Sequence, residues 1–209
     1  RIMLKSIAEK LNCYFIFITA TMPLIYREEN NEIKELVTKK ESYFEFFDRI
    51  NLNLSYFKED MTLEDFKYFL AEEINEYSNQ SILVVLNTIN SSLEVFNYLK
   101  EIIDNIRDEL IYLSTNIIPK EREKRIKKIG KKDSKRQIII STQMVEAGVD
   151  IDLDRVYRDF APLDSINQTC GRCNRNFKYD KKIKVILVKI INPDNNHKTL
   201  ASYVYDSIL

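Results

Sequence analysis

Residues 137–175 read QIIISTQMVEAGVDIDLDRVYRDFAPLDSINQTCGRCNR, and this stretch decides the fold. Its first part, 138–140, is an isoleucine run that ends in two hydroxyl residues, Ser141 and Thr142. A short apolar run of this kind is typical of a buried strand. Ligands of open α/β sheets bind at the carboxyl ends of the strands, so the two hydroxyls indicate a candidate binding site there.

A carboxylate and two arginines follow the hydroxyls. Gly148 and Asp150 lie in the next loop, and Gln168, Arg172 and Arg175 are spaced i, i+4 and i+7. On a helix this spacing puts the three side chains on one face. The planar, permanently charged fork of an arginine matches phosphate oxygens and can stabilise the charge that develops during phosphoryl transfer. The combination favours a site for phosphates and a ribose.

The acidic residues of the stretch leave two interpretations open. Arg172 and Arg175 could instead pair with Asp159 or Asp164 in a surface ion-pair network. The run DIDLD at 150–154 lacks the later glycine and glutamate of a calcium loop, so that kind of site is excluded. It reads either as a turn with solvated carboxylates or as a turn whose first aspartate accepts hydrogen bonds from a ribose.

Composition predicts one well-buried core, with at most a fragment of a second domain. The chain has 209 residues, of which 44% are hydrophobic and 31% charged, as in ordinary globular proteins. No apolar run approaches the roughly 20 residues that span a bilayer. The apolar run at 13–18 is six residues long and follows Lys5, Glu9 and Lys10, so we do not expect a secretory signal. Because the chain begins at Arg1, we expect a piece of a longer protein.

The cysteines argue for a reducing compartment and against a metal site. Three cysteines, an odd number without export signals, predict a cytoplasmic protein. Cys170 and Cys173 form a C-x-x-C motif, but Cys13 and His197 are the only further soft ligands for a zinc site. We therefore expect no metal at this motif, and no redox role so late in the chain.

The formal net charge of zero hides two oppositely charged segments. Residues 120–136 contain ten Lys/Arg and three Asp/Glu, whereas residues 28–76 contain six Lys/Arg and fourteen Asp/Glu. The basic segment could bind nucleic acid. Taken alone, a solvated helix face explains it equally well.

Apolar strands that alternate with helices predict a parallel α/β sheet covered on both faces. Residues 24–60 give no clean period and are interpreted as a connection between domains. Residues 62–65 resemble a capping box that starts a helix with an apolar core face. The other expected helices cover 3–11, start at Ser91, and run from Pro119 to a stop at Gly130; the expected strands are 13–18, 82–86, 110–113, 138–140, 156–157 and 185–190.

Small polar residues end two of these strands. Asn87 and Thr88 follow the strand at 82–86, as Ser141 and Thr142 follow the isoleucine run. Such groups can hold a nucleic-acid backbone without reading its sequence. Each is also an ordinary helix cap or turn residue, which taken singly is the preferred interpretation.

The glycines limit what this chain can do with a nucleotide. Only three glycines are present, so neither a phosphate-binding G-x-x-x-x-G-K-[ST] loop nor a dinucleotide G-x-G-x-x-G motif exists. The phosphate loop and the carboxylate that holds Mg²⁺ must come from elsewhere. This chain can supply only the second half of a nucleotide site.

These pieces together resemble a known family. Residues 81–191 resemble the second RecA-like domain of superfamily 2 helicases, and most closely the signature helicase-nuclease of type I CRISPR interference systems. The matching segments are LNT at 86–88 (motif IV), STQMVEAGVD at 141–150 (motif V), APLDS at 161–165, QTCGRCNR at 168–175 (motif VI) and, more loosely, TAT at 19–21 (motif III).

The resemblance implies a RecA-like α/β fold and a role for each matched residue. It divides the chain into the end of a first RecA-like domain (1–23), a connection (24–60) and the second RecA-like domain (61–209). Thr169 stands where many relatives have arginine, which leaves a contact near Gln168 in doubt. The implied roles are arginine fingers for Arg172 and Arg175, nucleotide contacts for Gly148, Asp150 and Gln168, nucleic-acid contacts for Asn87, Thr88, Ser141 and Thr142, and coupling for Thr19 and Thr21.

The implied function is the C-terminal part of an ATP-dependent DNA helicase in CRISPR interference. ATP and Mg²⁺ would bind with a first domain, and the partners would be single-stranded DNA, a nuclease domain or subunit and an RNA-guided surveillance complex. The family's nuclease needs several histidines, and this chain has one. The alternatives are a general DNA or RNA helicase and a non-catalytic domain that docks a partner.

Overall fold

A computed structural model describes residues 2–18, 34, 36–37, 50–103, 108–129, 135–146, 149–175, 183–194 and 198–205. The chain divides into two compact units, Arg1–Phe47 and Asp48–Leu209. Thr19, Thr21, Gly130 and Gly148 lie outside the described residues, so the predictions made for them stay predictions.

The first unit exposes most of its described apolar side chains. Helix α1 covers Ile2–Leu11, as predicted, and buries none of its residues. The strand predicted at 13–18 is wrong, because this segment has no regular structure; Tyr14 and Ile18 are 95% and 94% exposed. A strand needs a neighbour to bond its main-chain groups, and no described strand pairs with this one.

The second unit is built on a six-stranded sheet in which every pairing is parallel, which confirms the predicted fold class. The strand order is β1-β7-β6-β3-β5-β4. A second sheet of three short strands has the order β2-β8-β9. The strands are β1 Ile50–Asn53, β2 Met61–Thr62, β3 Ile82–Val85, β4 Asp108–Leu113, β5 Arg136–Ser141, β6 Arg155–Asp159, β7 Ile183–Val188, β8 Ile190–Asn192 and β9 Lys198–Thr199.

Strand β3 and the middle of β5 are continuous apolar runs because helices cover both faces of the sheet, whereas β6, RVYRD, also buries charged residues. Leu83 and Ile139 point to one face, where they pack with Val145 and Ile166. The alternate residues of β3 and β5 point to the other face. There they pack against apolar residues of helices α2, Leu63–Glu76, and α3, Ile89–Ile102, among them Phe66, Leu70, Ile74, Val95 and Leu99.

Capping hydrogen bonds determine where helices α2 and α3 begin. The predicted capping box is present: Thr62 N–H donates to Asp65 Oδ2, and Asp65 N–H donates to Thr62 Oγ1, each at 3.1 Å. Helix α3 begins at Ile89, two residues before the predicted Ser91, because Thr88 Oγ1 accepts the Ser91 N–H at 3.1 Å. The remaining helices are α4 Pro119–Lys128, with the expected proline at its start, α5 Leu163–Cys170 and α6 Ser202–Tyr205.

Two strand predictions need correction. The single strand predicted at 185–190 is two strands, because β7 ends at Val188 and β8 leaves the main sheet to pair with β2. Strand β1 lies inside the segment interpreted as a connection, 24–60, and forms the edge of the main sheet beside β7. Its sequence, INLN, alternates polar and apolar residues over only four positions, too few to give a period.

Candidate functional site

Helix α5 ends before the two arginines of the site. Gly171 caps the helix, its N–H donating to Asn167 O at 3.1 Å. A Cβ at Gly171 would lie 3.3 Å from Gln168 O, tighter than ordinary contact, so the close turn favours glycine. Gln168 is half-buried in the last turn of α5, whereas Arg172 and Arg175 follow the helix. The three side chains therefore do not share one helical face, contrary to the spacing argument.

The guanidinium of Arg172 holds the main chain of the loop after β5. Its Nη1 donates to Val149 O at 2.5 Å and its Nη2 to Glu146 O at 2.7 Å. These two carbonyls flank residues 147–148, the start of the predicted nucleotide loop. Burial lowers the pKa of Arg172, and the nearby charge of Arg175 adds to this. The Nε of Arg172 is buried and has no hydrogen-bond partner among the described residues, so one donor remains for a further acceptor.

Arg175 meets an exposed carboxylate in the same loop. Its Nη1 lies 2.9 Å from Asp150 Oδ1, and the two side chains are 41% and 88% exposed. Its N–H donates to Asp152 Oδ1 at 2.7 Å. The preceding Asn174 has a φ of 48°, a left-handed conformation that asparagine tolerates well. The turn and the loop thus bring one carboxylate and two guanidinium groups together; their contacts with a phosphate and a ribose stay predictions.

Among the described residues, the ion pairs considered as the alternative, with Asp159 or Asp164, are not formed. Asp159 is fully buried and bonds Asn87, and neither it nor Asp164 pairs with Arg172 or Arg175. Within the DIDLD run, Asp154 Oδ2 accepts the Ser81 N–H at 2.8 Å. The alternating Ile151 and Leu153 are each 2% exposed and anchor the run in the core. Asp150 is the aspartate of this run that stays open to solvent.

Three of the four predicted nucleic-acid residues make structural hydrogen bonds. Asn87 is 3% exposed; its Nδ2 donates to Asp159 Oδ2 at 2.7 Å and to Phe160 O at 2.6 Å. Ser141 is fully buried, and its Oγ donates to Leu113 O at 2.8 Å. Thr88 is the N-cap of α3. Their contacts with nucleic acid stay predictions.

An open pocket of about 450 Å³ lies at the carboxyl ends of β3 and β5. Thr88, Thr142 and Gln143 line it together with Thr115, which follows β4. This is the end of the sheet at which α/β proteins bind ligands. Sequence reasoning missed Gln143 and Thr115, although each lies within two residues of a strand end. The remaining lining residues are Asn87, Ile89, Asn90, Met144 and Val204.

A buried polar network lies beneath this pocket. Arg158 is 0% exposed, and its Nη2 lies 3.0 Å from Glu146 Oε1. Burial raises the pKa of Glu146 against the opposing pull of Arg158. Burial also raises the pKa of Asp159 to about 7, opposed by the Arg158 guanidinium and by the N–H of Ile190. Sequence reasoning missed this network; the signal was the charged pair that ends the strand RVYRD.

The two cysteines of the C-x-x-C motif are core residues. Cys170 and Cys173 are 6% and 0% exposed and unoxidised. Burial raises the pKa of Cys170 to about 11, which keeps the thiol protonated at neutral pH. Across the part of the chain that the structure describes, no three His, Cys, Asp or Glu side chains converge as metal ligands.

The basic helix α4 is partly neutralised by its own acidic residues. Lys127 lies 2.5 Å from Glu123, and Arg125 lies 3.3 Å from Glu121. Arg125 Nη1 also donates to the Tyr112 carbonyl at 2.9 Å. These pairs favour the solvated-face interpretation for the helix itself.

Comparison with known proteins finds one family that is similar to the segment carrying this site. The family described as "CRISPR-associated nuclease/helicase Cas3, C-terminal" matches residues 78–178. This segment includes most of the pocket lining, the buried network, and the group formed by Asp150, Arg172 and Arg175, which we call the arginine cluster. Residues 78–178 are therefore similar to a Cas3-like C-terminal domain. The chain is 27% identical over 210 residues to the CRISPR-associated nuclease/helicase Cas3 of Methanothermobacter thermautotrophicus, covering 91% of this chain and 23% of that protein. Its counterpart in Haloferax volcanii is 46% identical over 61 residues, covering 29% and 6%.

Solved structures support the fold of the Cas3-like domain. The crystal structure of T. fusca Cas3-ATP superposes with a TM-score of 0.60 at 18% identity, covering 75% of this chain and 20% of that one. The C-terminal domain of the DEAD-box protein Dbp5 gives 0.52 at 14% identity, covering 78% and 89%. The chain spans 6% to 24% of the length of the curated relatives it matches.

None of the helices in the described ranges is both long and apolar enough to cross a membrane.

Proposed function

We propose that this Cas3-like domain is the second lobe of an ATP-driven motor that moves along single-stranded DNA in type I CRISPR interference. ATP binds between a first RecA-like domain and this one. The first domain supplies the phosphate loop and the ligands of Mg²⁺, because this chain has too few glycines for a phosphate loop.

The observation that carries the proposal is the exposed pair of Arg175 and Asp150 beside Arg172. An exposed ion pair contributes at most about 1 kcal/mol, so a phosphate can displace the carboxylate at small cost. Arg175 then neutralises charge that develops on the γ-phosphoryl group. Asp150 is left to accept hydrogen bonds from the ribose.

Arg172 acts in the same site, but its guanidinium bonds main-chain carbonyls and not a carboxylate. It holds the carbonyls on either side of residues 147–148, so it positions the loop that carries Gly148 and Asp150. Its nucleotide contact rests on the resemblance of residues 168–175 to motif VI, because its unpartnered Nε is buried. Gln168 completes the proposed nucleotide contacts from the end of α5.

The DNA strand lies across the pocket at the carboxyl ends of β3 and β5. Thr142, Thr88 and Gln143 meet the sugar-phosphate backbone, which needs no base reading. Asn87 and Ser141 mainly support the pocket from inside the fold, because their side-chain donors already bond acceptors there. Thr19 and Thr21 would couple hydrolysis to movement of the strand.

The surroundings of the motor follow from the same family. The exposed apolar residues of the first unit, such as Ile2 and Ile18, suit burial against the rest of a first RecA-like domain. A nuclease domain or subunit and an RNA-guided surveillance complex are the expected partners, in the cytoplasm. One solved neighbour, a CRISPR RNA-guided surveillance complex in a pre-nicking state, has a TM-score of 0.52 at 17% identity and covers 68% of this chain and 19% of that one.

ATP hydrolysis tests this proposal. The 209-residue chain alone should hydrolyse no ATP, and the protein that joins it to the first RecA-like domain should hydrolyse ATP when single-stranded DNA is added. Robust DNA-stimulated hydrolysis by the 209 residues alone would contradict the division of the site between two lobes.

Two further measurements separate the proposed function from a general or RNA helicase and from a docking domain. Stimulation by RNA equal to that by DNA would identify a general or RNA helicase. In the joined protein, Arg172→Ala should lower turnover by about 100-fold, the loss expected for a group that stabilises transition-state charge. Unchanged turnover would favour a domain that only docks a partner.

A further inference from the structure

The buried pair of Arg158 and Glu146 contacts both the proposed DNA-binding part and the proposed nucleotide-binding part of this domain. Arg158 lies at the carboxyl end of β6, and Glu146 ends the short 3₁₀ helix Gln143–Glu146 that follows β5. Arg158 is 0% exposed and the Glu146 side chain 10% exposed. Neither residue lines the pocket, and neither belongs to the arginine cluster.

On the DNA side, Arg158 holds the residues that form the pocket floor. Its Nη1 donates to Asn87 Oδ1 at 2.8 Å. Gln143 Nε2 donates to the Asn87 carbonyl at 2.8 Å, so Asn87 links the pair to a residue that lines the pocket. A strand that displaces Gln143 or Asn87 must also disturb Arg158.

On the nucleotide side, Glu146 is held at two points. Its carboxylate accepts bonds from Ser165 Oγ at 2.7 Å and from Thr169 Oγ1 at 3.3 Å, both on α5. Its own carbonyl accepts the Nη2 of Arg172 at 2.7 Å. A movement of Glu146 therefore changes the grip of Arg172 and the position of the helix that leads to Arg175.

We propose that the Arg158–Glu146 pair is the positioning element that couples DNA in the pocket to the arginines at the nucleotide. The proposal rests on the motor function above. Stability alone is a poor reason for the pair, because desolvating two charges offsets much of their attraction. The pair joins three elements that carry separate parts of the site: β3 through Asn87, the loop after β5, and helix α5.

The fold contains a matched pair that lacks these connections. Arg155, at the amino end of the same strand, lies 2.7 Å from Glu73, with side chains 8% and 10% exposed. Arg155 also bonds Tyr157 and stacks 3.6 Å from the ring centroid of Tyr77. The contacts described for this pair include no residue of the pocket or of the arginine cluster, so it controls for the cost of disturbing a buried ion pair.

The test compares Glu146→Gln with Glu73→Gln in the protein that joins this chain to the first RecA-like domain. Glutamine keeps the shape and an acceptor oxygen but removes the charge. The ratio of ATP turnover with saturating single-stranded DNA to turnover without DNA should fall at least about 5-fold in Glu146→Gln, the lower range of measured coupling between sites. In Glu73→Gln the ratio should stay within about 2-fold of the unmodified protein. An equal effect of the two variants, or none in Glu146→Gln, overturns the proposal.

A milder variant covers the case in which Glu146→Gln does not fold. Ser165→Ala removes a hydroxyl that bonds both Glu146 and Arg158, whereas Ser92→Ala removes an equally buried hydroxyl that bonds Tyr112 and Ile89. The DNA-dependent ratio should fall in Ser165→Ala and hold in Ser92→Ala, and the reverse or equal pattern overturns the coupling. If the unmodified protein shows no stimulation by DNA, the proposed function itself fails, and the inference with it.

Discussion

The guanidinium of Arg172 is held by two main-chain carbonyl oxygens, of Glu146 and Val149, whereas that of Arg175 meets the exposed carboxylate of Asp150. Releasing Arg172 would leave two part-buried carbonyls unsatisfied, at up to about 1–3 kcal/mol for each group. The ion pair of Arg175 with Asp150 is exposed, so exchanging this carboxylate for a phosphate costs little. At the scale of single residues, we therefore assign the phosphate contact to Arg175 and the support of the loop to Arg172.

The buried carboxyl of Asp159 predicts a dependence of stability on pH. Its pKa in the folded chain is about 7, above the usual aspartate value, because burial disfavours the charged form. Between the two values the folded state holds a proton that the unfolded state has lost. The free energy of unfolding should therefore fall as pH rises from about 4 to about 7, by up to about 1.4 kcal/mol per pH unit from this group.

Urea unfolding of the 209-residue chain at several pH values measures this slope. Asp159→Asn should reduce the slope without abolishing it, because the raised pKa of Glu146 acts in the same direction. Ser92→Ala, which removes a buried hydroxyl and no titratable group, is the control and should leave the slope unchanged. Equal slopes for Asp159→Asn and the unmodified chain would show that Asp159 stays charged across this range.

At the scale of elements, the ends of strands and helices place the site. Strands β3, β5 and β6 all run in the same direction, so their carboxyl ends meet at one edge and bring Asn87, Thr142 and Asp159 together. Helix α5 stops at Gly171, and this stop turns Arg172 back onto the loop after β5. The arginine cluster therefore depends on where a helix ends rather than on a helical face.

The cap of α3 gives a prediction at this scale. Thr88 Oγ1 accepts the N–H of Ser91, so Thr88→Ala should lower the free energy of unfolding of the 209-residue chain by about 1 kcal/mol. Thr88→Ser keeps the oxygen and should cost little. Denaturant unfolding checks both variants. Equal losses in Thr88→Ala and Thr88→Ser would mean that the methyl group, and not the cap, matters at this position.

Much of the main sheet could be predicted because two of its inner strands, β3 and β5, carry continuous apolar runs. The segments at 82–85 and 138–140 could be recognised without their neighbours, since burial on both faces demands apolar residues throughout. Strand β1 could not, because an edge strand of four residues keeps its asparagines. The segment at 13–18 has the composition of a strand, but composition supplies no neighbouring strand to pair with.

The candidate site was predictable in part. Asp150, Arg172 and Arg175 could be foreseen as one cluster from their residue types and their order along the chain. The pair of Arg158 and Glu146 could not, because twelve residues separate them and only the packing of β6 against the loop after β5 brings them to 3.0 Å. Burial of Asn87 and Ser141 is also a property of the assembled sheet and not of their local sequence.

At the scale of the whole molecule, the proposed motor has half of its nucleotide site on this chain. The chain carries two arginines and a carboxylate suited to a nucleotide, and it has no glycine-rich phosphate loop. Its first unit exposes large apolar residues, including Ile2 and Leu11 on α1. Both features fit a site that forms only when a second lobe closes on this one.

The central claim is that Arg175 reaches across to a nucleotide held by another lobe, and one rate tests it most directly. The rate is DNA-stimulated ATP turnover at saturating ATP by the joined two-lobe protein. Arg175→Ala should lower it by at least about 100-fold, because the variant removes a charge that acts in the transition state. Lys124→Ala, which removes an exposed cation that pairs with Glu121 on α4, should leave it unchanged. Turnover by Arg175→Ala within about 2-fold of the unmodified protein would contradict the claim.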